Sequence, residues 1–191
     1  MRIVGNRTVF ALALLAYTGA ATAQRREIDV GKSTMTVRVS KAGVFSAFGH
    51  EHEIAAPITQ GAVDATAGTV ELRVNASSLK VLDPKTSDAD KAEIQSTMLG
   101  PKVLDAGRYP EIVFRSTGTH PSGSGSWRVN GDLTLHGQTH PVTVEVRQNG
   151  DHYVGTAGFK QTEFGIQPVT AAGGSIRVKD ELLIEFDIQS R

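Results

Sequence analysis

The decapeptide FSAFGHEHEI, Phe45 to Ile54, holds two of the chain's six histidines, His50 and His52, with acids between and after them. In an extended segment, residues two apart share a face. Phe48, His50, His52 and Ile54 would then lie on one side, and Glu51 and Glu53 on the other. A side that begins with Phe and ends with Ile is the inward one, which leaves the acids to water. Inward imidazoles need partners. Three kinds of chemistry fit such a pair: hydrogen bonds within the protein, a polar end for a ligand, or zinc coordination. Zinc would need a third ligand from another strand, and His140 is the candidate. Such a site with an open position could activate water. HEHEI is not the helical H-E-x-x-H motif, because Ile occupies position 54 and the stretch reads as strand.

Other chemistry lacks support. The chain has no cysteine, which excludes thiol catalysis and thiolate metal sites. No Gly-rich phosphate loop and no G-x-S-x-G elbow is present. Ser, Asp and His are plentiful, but no spacing selects a triad. The expectation is a protein without catalytic residues and without a cofactor, with zinc as the alternative.

The histidines must be held by strands. TMTVRVS puts Met35, Val37 and Val39 on one face, and TVELRVN puts Val70, Leu72 and Val74 on one face. Ile112 alternates with Phe114, and Trp127, Val129, Leu133 and Leu135 follow. Val142, Val144 and Val146 form another face, as do Leu182, Ile184, Phe186 and Ile188. This period of two marks half-buried antiparallel strands. Gly-rich breaks at 123–126, Asn149-Gly150 and Gly173-Gly174 separate them. In LHGQTH, Gly137-Gln138 suits a two-residue II′ turn that pairs His136 with Thr139. His140 then shares a face with Val142 and Val144. One stretch departs from strand periodicity. Ser87 is an N-cap, acids follow, Ile94 and Met98 lie four apart, and Gly100-Pro101 ends the run. A helix is predicted over Asp88–Leu99.

Residues 1–23 read as a cleaved signal peptide: Arg2 and Arg7, the apolar run Val9–Tyr17, then Ala21-Thr22-Ala23. The apolar run is far shorter than the roughly 20 residues that span a bilayer, so no stable membrane insertion is expected after cleavage. Removing 23 residues from 191 leaves 168, with 18 basic and 20 acidic side chains. That balance gives no reason to expect nucleic acid as a partner. One domain, 24–191, is expected, large enough to fold without disulfides.

Several of these segments resemble the YceI-like family, described as lipid- or polyisoprenoid-binding. They are ASSLKV after the Val70 strand, LDAGRYPEIVFRST (104–117), VNGDLTLHGQTHPVTVEV (129–146), TEFGI (162–166) and VKDELLIEFDI (178–188). The family often carries V-x-H where this chain has Val39-Ser40-Lys41. The resemblance implies an all-β, antiparallel, lipocalin-like β-barrel of about eight strands with one short helix. It implies an exported bacterial protein, periplasmic or secreted. It also implies a carrier of an isoprenoid or other long-chain lipid, polyprenyl or quinone-like, in a hydrophobic pocket. The expected wall is Val37, Val39, Phe48, Val70, Leu72, Phe114, Trp127, Leu135, Val144 and Phe186. His50, His52 and His140 would meet the polar end. A barrel acting through its surface alone, as in stress protection, is the third reading.

Overall fold

The computed structural model describes residues 25–42, 51–171 and 176–191. The predicted leader, the Phe48–His50 part of the histidine segment and the Gly173-Gly174 break lie outside the described residues. The described strands are β1 (Arg25–Glu27), β2 (Thr34–Ala42), β3 (His52–Ala55), β4 (Ile58–Asp64), β5 (Thr69–Asn75) and β6 (Lys80–Val81). After the helix come β7 (Glu111–Gly123), β8 (Ser126–Leu135), β9 (Gln138–Asn149), β10 (His152–Lys160), β11 (Thr170–Ala171) and β12 (Ile176–Gln189). The helix α1 covers Asp88–Leu99, with Ser87 accepting from the Asp90 N–H as N-cap. These are the bounds that the cap and the stop signal predict.

Every strand pair is antiparallel, in the order β1-β4-β5-β7-β8-β9-β10-β12-β2-β3-β6, and β11 sits beside β12. The expected count of about eight is therefore too low: eleven strands lie on one hydrogen-bonded path among the described residues. The physical reason is interruption. β3 and β4 are separated only by Ala56-Pro57, and proline cannot donate to a ladder. Along this bent run, β3 pairs with β2 while β4 pairs with β5 and β1. The curled sheet closes beside β1. There the Ile28 N–H donates to Gly61 O at 3.0 Å, Asp29 N–H to Gln189 O at 2.8 Å, and Arg191 N–H to Glu27 O at 2.8 Å.

The β8–β9 turn sits one residue earlier than predicted. Leu135 pairs with Gln138, so His136-Gly137 forms the turn, with φ of 52° and 73°. Two positive φ values are the type I′ signature rather than II′. Tertiary contacts hold His136 in this conformation. Its Nδ1 lies 3.1 Å from Phe164 O, and its ring meets Tyr109 edge-on at 4.7 Å. A Cβ at position 137 would fall 2.4 Å from the Tyr109 ring, so glycine is required there.

The helix covers one end of the barrel. Met98 is buried, and Ile94 packs against the main core. Gln95 ties α1 to the chain around β6: its Oε1 accepts from Val81 N–H at 2.8 Å and its Nε2 donates to Leu79 O at 2.7 Å. The turn Gln161–Phe164 packs at the same end and carries Phe164, which is fully buried. Among the described residues no helix is long and apolar enough to cross a membrane.

Candidate functional site

The inward faces of the strands do not meet. They enclose a cavity of about 760 Å³ that runs through the barrel, within the usual 300–1,000 Å³ of small-molecule sites. Val37, Val39, Val70, Leu72, Phe114, Trp127, Leu135, Val144 and Phe186 all line it. Phe48 lies outside the described residues. Period-two alternation places these side chains inward, and the cross-strand registers keep them level. Leu72 pairs with Phe114, Phe114 with Leu133, and Val129 with Val144.

Two glycines help to keep the lumen open. A Cβ on Gly131 would lie 2.4 Å from the Phe114 ring, and one on Gly155 would lie 2.8 Å from the Phe186 ring and 2.0 Å from Glu145 O. Each ring lies over a glycine of the neighbouring strand. Larger residues at these positions would push the rings into the cavity.

His52 opens β3 and borders the cavity. Its cross-strand partner is Val39, whose side chain also lines the cavity. The neighbouring acid Glu53 points the other way and reaches Arg38 at 3.5 Å. His52 Nδ1 lies 2.6 Å from Oδ2 of Asp83. The other oxygen, Oδ1, accepts from Glu53 N–H at 2.8 Å. The side chains are 15% and 1% exposed, respectively. A buried carboxylate must have such partners.

Asp83 reaches this position through the contacts of α1. Gln95 fixes the chain around β6, Val81 pairs with Ile54 of β3, and Leu82 N–H donates to Glu53 O at 2.8 Å. The next residue is Asp83. Sequence spacing does not expose this partner, which lies 31 positions from His52. The local signal is slight: an acid directly after an apolar pair, ahead of Pro84.

His140 is not among the residues that line the cavity. It does share a strand face with Val142. However, Phe164 packs against that end of the face, with its ring 5.2 Å from the His140 ring. His140 Nε2 lies 3.4 Å from Gln138 Oε1. His50 is outside the described residues. Among the described residues, no group of three or more His, Cys, Asp or Glu side chains is placed to hold a metal ion.

The cavity also meets polar groups near its ends. Lys41, Asp90, Glu93, Thr97 and Lys102 lie by α1, with Thr119, Gln148 and Tyr153 toward the opposite end. The body between them is aliphatic and aromatic. This arrangement suits a long apolar molecule with a polar group at one end.

Comparison with known proteins agrees with this architecture. The description "YceI-like domain" matches residues 27–190. A UPF0312 protein of Shewanella sp. is 26% identical over 178 residues, covering 87% of this chain and 88% of the relative. A UPF0312 protein of Vibrio parahaemolyticus is 36% identical over 115 residues, a match that spans 55% of this chain and 59% of that relative's length. Among solved structures, Burkholderia cenocepacia BcnA superposes with a TM-score of 0.62 at 21% identity, covering 84% of this chain and 98% of that one. A mutant of the Campylobacter jejuni YceI protein gives 0.52 at 12% identity, covering 79% and 84%. At these identities the structural likeness speaks for the fold.

Proposed function

This chain belongs to the YceI-like family, and we propose that it is an exported binding protein that carries an amphiphilic isoprenoid, polyprenyl or quinone-like, inside its barrel. The observation that carries the proposal is the continuous apolar cavity of about 760 Å³. Each buried methylene contributes about 0.8 kcal/mol, so a five-carbon isoprene unit contributes about 3–4 kcal/mol. Three or four units offset an association cost of roughly 4–15 kcal/mol. Apolar contact is therefore a sufficient source of affinity, and a carrier of this kind needs no catalytic group. The isoprenoid class follows from the family resemblance. Export to the periplasm or beyond follows from the leader-like residues 1–23.

Native mass spectrometry of the mature protein purified from its own host tests the reading. A co-purified adduct of isoprenoid mass is the expected result, and the same spectrum reads any bound zinc. Titration with farnesol provides a second test. Trp127 lines the cavity and is the chain's single tryptophan, so its fluorescence should change on binding. No adduct together with no response to any isoprenoid would end the proposal.

A further inference from the structure

His52 and Asp83 do more than satisfy each other. We infer that the pair presents His52 Nε2 to the cavity as a fixed hydrogen-bond acceptor, so that the site selects an isoprenoid whose head group carries a hydroxyl donor. This rests on the cavity being a ligand site.

The argument begins at Asp83. Its Oδ1 accepts from Glu53 N–H, and its Oδ2 faces His52 Nδ1 at 2.6 Å. An aspartate oriented by a backbone donor is the acceptor towards a histidine, so the Nδ1 proton sits between them. In the neutral imidazole the other nitrogen then carries a lone pair and no proton. Asp83 does not line the cavity and His52 does. The ring edge away from Asp83 is therefore the edge available to a ligand. Among the described residues nothing engages Nε2.

An acceptor held in an apolar wall discriminates strongly. A head group that donates a proton satisfies it, and one that cannot leaves it desolvated and unpaired. The other groups bordering the cavity near α1 do not duplicate this property. Lys41 and Lys102 carry donors only. Asp90 and Glu93 are exposed on α1, where water competes for the same bond. Thr97 and Gln161 also border the cavity, but each carries a donor beside its acceptor and so serves an ether as readily as an alcohol.

The test compares farnesol with farnesyl methyl ether, which keeps the oxygen and the chain but loses the donor proton. Binding is read by Trp127 fluorescence at pH 8, where histidine side chains are ordinarily neutral. Wild type should bind the alcohol about tenfold more tightly. His52→Phe should bind both compounds equally and still bind them. Asp83→Asn should place an amide N–H against Nδ1, turn Nε2 into a donor, and abolish or reverse the preference. A structural role alone would lower the melting temperature of Asp83→Asn without changing the ratio. If Asp83→Asn does not fold, His52→Phe decides.

Equal wild-type affinity for alcohol and ether would overturn the inference and leave the carrier function standing. A preference that survives in His52→Phe would also overturn it. Binding of neither compound by wild type would overturn the inference; joined to no native adduct and no response to any isoprenoid, it would remove the carrier reading as well.

Discussion

His52 and His152 each turn Nδ1 to an aspartate, at 2.6 Å to Asp83 and 2.7 Å to Asp187. The chemistry of the two pairs is the same and their surroundings are opposite. The His52–Asp83 pair is set into the inner wall, with the acid 1% exposed. The His152–Asp187 pair lies on the outer face, with side chains 38% and 47% exposed. Water stands ready to replace either partner of the outer pair. For the inner pair, loss of one partner strands the other. The pairs show that burial, more than bond length, sets what a hydrogen bond can do for stability or selectivity.

The largest expected effect contrasts the two faces of one strand. Leu72 lines the cavity, and its neighbour Glu71 faces outward towards Arg73 and Arg115. Leu72→Glu places an unpaired charge in an apolar cavity and should reduce isoprenoid affinity by more than about 100-fold. Glu71→Leu should change it by less than about twofold. Circular dichroism must show both variants folded. Similar losses in both variants would erase the inner–outer distinction.

Removing the acids gives the next contrast. Asp83→Ala leaves Glu53 N–H and His52 Nδ1 without their acceptor in a buried place, at a cost of roughly 2–3 kcal/mol. For a domain of this size that is a melting temperature lower by about 5–10 °C. Asp187→Ala should stay within about 1 °C of wild type. Equal shifts would mean that burial is not the governing difference.

The smallest effect is a titration. The hydrogen bond to Asp187 raises the pKa of His152 above the ordinary histidine value, and desolvation offsets part of that rise. A raised folded pKa means that the pair's stabilisation is complete below the unfolded value. It is lost as pH climbs through the folded one. NMR titration of Asp187→Asn should show the His152 pKa falling towards about 6.5. Any gap in melting temperature between wild type and the variant should be wider at pH 5.5 than at pH 8.5.

Much of the wall was legible in the sequence because a strand has a period of two. Val37, Leu72, Phe114 and Phe186 are on their inward faces wherever the neighbouring strands lie. The helix was equally legible, since Ser87, the first-turn acids and Gly100-Pro101 act locally. The β8–β9 turn was misplaced because its deciding contacts, to Tyr109 and Phe164, come from distant segments. The same ring of Phe164 packs edge-on against His140, a contact from a distant segment that strand parity, which puts His140 on the same face as Val142, does not reveal.

The sequence by itself determined the alternation, the capped helix, the lack of thiol chemistry and the set of apolar side chains that point inward. These depend on residue type and on spacing along the chain. Only the tertiary structure decided that the inward faces stand apart, with glycines beneath the rings of Phe114 and Phe186. Only it decided that the sheet closes beside Ile28, and that Asp83 is the partner of His52. Contacts of this kind join segments far apart in the chain, and no local periodicity encodes which distant residue will arrive.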